Sequence, residues 1–167
     1  FNQEPDVSIQ SFSTDTLFGY EVEIINDLNN DGFDELFISE PYNLSNEFNS
    51  GSVWIYLGNN TSLNTEPEFR LNGAANELLG LNFASAGDSN GDGYNDFLIT
   101  KRGSSNSGKL LLYLGSNDGF EQNGMIVTIG NNDLGLAISS GADSDGDGMD
   151  EYFASQTVTD DDFSKKS

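Results

Sequence analysis

The chain of 167 residues has no cysteine and no histidine. No disulfide can form, and neither thiolate nor imidazole is available for catalysis or metal binding. The lack of cysteine does not by itself assign a compartment. Proline is scarce, with 3 residues, and only 6 Lys and Arg stand against 28 Asp and Glu, a net charge of −22. Such a chain is repelled by nucleic acid and by anionic membrane surfaces, and it attracts cations. No apolar run approaches the roughly 18 residues needed to span a bilayer. The sequence opens on Phe1 with no signal-peptide pattern, as expected of a mature form or of a piece of something longer.

What is present suits a folded β protein. The length permits one domain with a real core, and 12 Phe, 6 Tyr and one Trp argue against an acidic disordered chain. A solvated, salt-tolerant surface would account for acids spread along the chain. Here they are clustered.

One acidic cluster recurs three times. Asp27 to Ile38 reads DLNNDGFDELFI, Asp88 to Ile99 reads DSNGDGYNDFLI, and Asp143 to Ala154 reads DSDGDGMDEYFA. All fit D-x-[ND]-x-D-G-x-x-[DE] before apolar residues. Eight residues ahead of each leading aspartate stand Phe18-Gly19, Leu79-Gly80 and Leu134-Gly135. Downstream of the first two come GSVWIYLG (Gly51 to Gly58) and GKLLLYLG (Gly108 to Gly115). The repeats are therefore about 55 to 61 residues long. YEVEII, SVWIYL, FRL, MIVTI and, near the start, DVSIQSF are strand candidates, with Gly and Asn between them. No amphipathic helix of three turns is found. About four strands fit each period, the size of one propeller blade with a long loop.

Alternate side chains of a tight loop can turn toward one centre, which suits loop positions 1, 3 and 5. Calcium takes six to eight oxygens, from carboxylates, amides, backbone carbonyls and water. Glycine at position 6 permits the bend, the residue at 7 can offer its carbonyl, and a carboxylate at 9 closes the shell. An EF-hand would need Glu at position 12 and flanking helices. Position 12 is Ile38, Ile99 and Ala154, and the flanks are strand-like. Loops of Asp, Asn and Gly also make good turns without any cation, yet carboxylates gathered so closely repel one another unless one is bound. Twelve of the 28 acids belong to these loops, and three divalent ions would bring the net charge to −16.

These motifs resemble the FG-GAP repeat, including VCBS-type repeats, of integrin α-subunit β-propellers and many bacterial secreted proteins. The resemblance covers nearly the whole chain. It implies an all-β fold of β-propeller-type blades, each of four antiparallel strands, with about three blades here, an incomplete propeller or part of a larger one. The implied units are a preceding outer strand at 1–17, then repeats at 18–78 and 79–133 and a partial repeat at 134–167. It also implies Ca2+ in the hairpin loop between the first two strands of each blade, up to three ions in all. The first site would comprise Asp27, Asn29, Asp31, the Phe33 carbonyl and Glu35. The second would comprise Asp88, Asn90, Asp92, the Tyr94 carbonyl and Asp96. The third would comprise Asp143, Asp145, Asp147, the Met149 carbonyl and Glu151. The second loop matches most closely. The first and third carry Glu where the family usually has Asp at position 9, and Leu replaces Phe before Gly80 and Gly135.

The resulting expectation is an extracellular or cell-surface calcium-binding module for adhesion, with calcium structural. A protein or glycan ligand would meet loops such as Asn43 to Ser50 or Lys101 to Ser107. The alternative is a filament or surface-layer protein whose open blade edges pair between subunits, or with remaining blades of a longer chain. No nucleic-acid partner and no membrane insertion are expected. Catalysis is not expected either: no Ser-His or Cys-His pair exists, and most clustered carboxylates are committed to calcium. Among the cations Arg70, Lys101 and Arg102, the Lys101-Arg102 pair reads as a solvated loop tip. Asn-x-Ser/Thr sequons at Asn43, Asn59 and Asn60 matter only in a glycosylating host, and Asp160 to Asp162 read as a solvated acidic stretch.

Overall fold

The computed structural model describes residues 7–11, 17–42, 48–61, 63–102, 108–130 (backbone alone at 128–130), 134–135, 137–140 and 142–156. Among these residues the regular elements are all strands, and no helix is long and apolar enough to cross a membrane.

β1 (Val22–Ile25), β2 (Glu35–Glu40), β3 (Ser52–Tyr56) and β4 (Phe69–Asn72) form a four-stranded antiparallel meander in chain order. The second sheet joins β5 (Phe83–Gly87), β6 (Asp96–Arg102), β7 (Gly108–Tyr113) and β10 (Met125–Gly130), again antiparallel and in sequence. A small hairpin, β8 (Gly115–Ser116) with β9 (Gly119–Phe120), is inserted between β7 and β10. β11 (Ile138–Ser140) and β12 (Tyr152–Ala154) pair as a third sheet. These are propeller-type blades, as the repeat pattern implies.

Alternation along the strands explains how the blades stack. Successive side chains leave opposite faces. Phe37, Val53, Ile55 and Leu71 of the first sheet meet Phe83, Phe97, Ile99, Leu111 and Tyr113 of the second in one core. The opposite face of the second sheet, with Leu98, Leu110 and Leu112, packs against Leu134, Ile138 and Tyr152. The central strands β3, β6 and β7 are thus covered on both sides, which is why they read as apolar runs. Phe97 lies at the middle, with ring centroids 4.9 Å from Phe37, 4.9 Å from Tyr113 and 5.1 Å from Phe120. Each such aromatic pair adds about 0.5–1.5 kcal/mol beyond burial.

Two local expectations need correction. Residues 7–11 of the DVSIQSF segment expected as an outer strand form no strand, and residues 6 and 12 lie outside the described residues. Ile9 instead packs by its side chain against the cluster of Ile38, Trp54 and Tyr56. Lys101 and Arg102 are not a loop tip but the end of β6, and Lys101 forms a half-buried ion pair with Glu77 at 2.8 Å. The β8–β9 hairpin has no counterpart in the repeat pattern, and two-residue strands carry no alternation to read. Of the expected contact loops, residues 43–47 and 103–107 lie outside the described residues, as do Asn43 and the acidic stretch at 160–162.

Candidate metal centres

Each acidic loop connects the first two strands of its sheet: β1 to β2, β5 to β6, and β11 to β12. The backbone folds the same way in all three. Positions 4 and 6 have positive φ, at Asn30 (58°) and Gly32 (94°), Gly91 (75°) and Gly93 (91°), and Gly146 (82°) and Gly148 (90°). Only Gly, and with less ease Asn, adopts this conformation at little cost. Position 4 therefore favours Gly or Asn.

The carboxylates organise the loop by accepting its backbone N–H groups. Asp27 accepts from the amides of Asp31 (3.1 Å) and Gly32 (2.8 Å), and Asp31 from that of Phe33 (3.0 Å). Asp88 accepts from Asp92 (3.0 Å) and Gly93 (2.8 Å), and Asp92 from Tyr94 (2.9 Å). Asp143 accepts from Asp147 (3.0 Å) and Gly148 (2.9 Å), and Asp147 from Met149 (2.9 Å). At position 3, Asn29, Asn90 and Asp145 accept from the position 5 amide at 3.1, 2.9 and 3.1 Å. The position 9 carboxylate reaches back to the position 2 amide in every loop: Glu35 to Leu28 (2.7 Å), Asp96 to Ser89 (3.0 Å) and Glu151 to Ser144 (2.8 Å). Each carboxylate oxygen has a second lone pair, so these bonds leave capacity for a cation.

Two of the three acid sets converge. In the first loop, ligand atoms of Asp27, Asp31 and Glu35 all lie within 4.8 Å of one another. In the third, those of Asp143, Asp145, Asp147 and Glu151 do the same. Among the described residues, Asp88, Asp92 and Asp96 of the second loop are not gathered so closely, although that loop matches the pattern best. Asp96 is fully buried, and its oxygens accept from the Ser89 amide and hydroxyl and from the Gly115 amide (2.9 Å).

Glu35 is a buried carboxylate with one oxygen left without a hydrogen-bond partner. It is fully buried at the start of β2, Oε2 accepts from Leu28, and Oε1 has no hydrogen-bond partner. Burial, with Asp27, Asp31 and Asp34 nearby, pushes its carboxyl up to about 7, against the lowering effect of the Leu28 N–H. Burial likewise raises Asp96, though its hydrogen bonds to Ser89 and Gly115 oppose the shift. A buried carboxylate oxygen without a donor is costly, and a hard cation coordinated by Asp27, Asp31 and Glu35 would satisfy it. The residues present therefore fit a divalent, oxygen-preferring ion. Leu28 carries the loop into the core, where it is fully buried, so the site is anchored to the sheet packing.

A family model described as FG-GAP-like repeat matches residues 27–99. Human integrin alpha-8 is 33% identical over 121 residues, covering 66% of this chain and 11% of that protein. Chicken integrin alpha-6 is 31% identical over 134 residues, covering 77% of this chain and 12% of that protein. Mouse integrin alpha-7 is 28% identical over 147 residues, covering 85% and 12%. The chain thus spans about a tenth of the length of these relatives. With the repeated loop-and-blade architecture, the matches identify this chain as an array of FG-GAP-like repeats related to those of integrin α-subunits.

Proposed function

We propose that this chain is a calcium-binding β-propeller segment of an extracellular or cell-surface protein, serving adhesion or the binding of a protein or glycan ligand. Calcium is structural in this reading: it neutralises the loop carboxylates and locks the turn into each blade's second strand. One observation carries it, the buried Oε1 of Glu35, unpartnered beside Asp27 and Asp31. The relationship to integrin α-subunits supports the adhesive role and the location. No catalysis is proposed, since the chain lacks cysteine and histidine and the loop carboxylates are engaged in scaffolding.

Thermal unfolding with calcium titrated in, against a chelator control, tests the proposal. Extracellular calcium sites have Kd of about 10⁻⁴–10⁻³ M, and a site at 100 times Kd adds about 2.7 kcal/mol. The melting temperature should rise with calcium and much less with magnesium. An unchanged melting temperature would sink the assignment.

A second reading, self-assembly through open blade edges, is favoured by exposed apolar residues on edge strands. Val22 and Ile24 of β1 and Met125 and Ile126 of β10 are all about half exposed. Edge strands with apolar faces invite pairing. Light scattering during the same titration separates the readings: mass rising with calcium favours assembly, and constant mass leaves the module reading.

A further inference from the structure

We infer that the acidic loops are coupled, the residue at position 8 of one loop holding position 1 of the loop before it, so that a cation in one loop raises the affinity of its neighbour. This rests on the calcium reading above.

The links are specific. The Asn95 amide donates to the carbonyl of Asp27 at 3.0 Å, and in return the Asn30 amide donates to the carbonyl of Gly93 at 2.7 Å. Asp150 brackets Asp88 in the same sense: its N–H donates to the Asp88 carbonyl (2.9 Å), and its Oδ2 accepts the Asp88 N–H (3.0 Å). Asp150 fits only because Gly87 has no side chain, since a Cβ there would collide with the Asp150 carboxylate. Asp34, at position 8 of the first loop, accepts from Asp27 of its own loop instead.

A backbone route joins the two position 9 carboxylates as well. Glu35 accepts from the Leu28 N–H, the Leu28 carbonyl accepts from Ser116 N–H (3.1 Å), and the adjoining Gly115 N–H donates to Asp96. A cation that orders one loop therefore removes part of the ordering cost of the next, which is positive cooperativity without a change of fold. A cation in one loop lowers the negative potential at the next and so opposes the coupling, but each loop carries at least three carboxylates, more than one divalent ion neutralises, and stays net negative. Asn95, Asn30 and Asp150 are positioning residues, with no ligand role of their own.

Calcium titration of the chain with Asp92→Asn, alone and combined with Asn95→Ala, tests the coupling. Loop 1 binding is read from NMR shifts of the Gly32 and Phe33 amides. Asp92→Asn should weaken calcium at loop 1 by about fivefold or more, within the usual range of coupling. In the Asn95→Ala background its effect should shrink to about twofold or less, the loss of a double-mutant interaction. Asn30→Gly, which keeps the positive φ while deleting the other amide, should uncouple in the same direction and guards against misfolding of the first variant. Loop 1 affinity indifferent to Asp92→Asn, or equally sensitive in every background, overturns the coupling while leaving the calcium reading intact. No calcium response in the unaltered chain overturns both.

Discussion

Glu35→Gln separates the two things this buried side chain does. With calcium, the change removes one charged ligand from the set of Asp27, Asp31 and Glu35. A tenfold weaker site corresponds to about 1.4 kcal/mol. For a chain of this size about 1 kcal/mol shifts the melting temperature by 2–4 °C. The calcium-induced rise should therefore shrink by about 3–6 °C. In chelator the outcome reverses. The native chain buries a carboxyl whose Oε1 lacks a donor, a defect that costs about 1–3 kcal/mol. Glutamine keeps an acceptor for the Leu28 N–H, occupies nearly the same volume and carries no charge. The variant should be at least as stable as the native chain without calcium. The assay is a pair of melting curves, in chelator and in saturating calcium, for each protein. Equal destabilisation in both conditions would refute the reasoning, since it would make Glu35 a structural group with no special relation to a cation. An undiminished calcium response would refute it equally.

Two further predictions concern the scaffold around the loops. Gly115→Ala should destabilise the chain by about 1–3 kcal/mol, the usual cost of overpacking, with or without calcium. A Cβ there would meet the carbonyls of Asn95 and Leu28, both backbone, which cannot rotate away; a urea midpoint equal to the native one would contradict this. The Glu77 carboxyl is held below its ordinary value by its bonds to Lys101 and the Ala74 N–H and by the charge of Lys109, against burial. A depressed folded value means the stabilisation is present above the unfolded value near 4.5 and is lost as the pH falls through the lower folded value. The difference in urea midpoint between native chain and Glu77→Gln should hold from pH 7 to 5 and narrow as the pH falls below 4.5. A difference that ignores pH would show that the Glu77–Lys101 pair contributes no linkage.

Much of this protein could be read locally. The three D-x-[ND]-x-D-G loops, the apolar runs behind them and the matching GSVWIYLG and GKLLLYLG segments determined the blades, their strands and the position of the acidic turns. These are short-range properties: a turn needs its Gly or Asn at fixed offsets, and a strand buried on both faces needs an apolar run. Tertiary structure decided what distinguishes the three loops. It gathered the acids of the first and third loops, and it brought the Gly115 amide, in a hairpin absent from the repeat pattern, onto Asp96 of the second. It turned Lys101 from an expected loop tip into the partner of Glu77, 24 residues away. It joined Asn95 to Asp27 and Asp150 to Asp88 across more than 60 residues. Such contacts depend on how one blade stacks on the next, and no spacing within a single repeat encodes them.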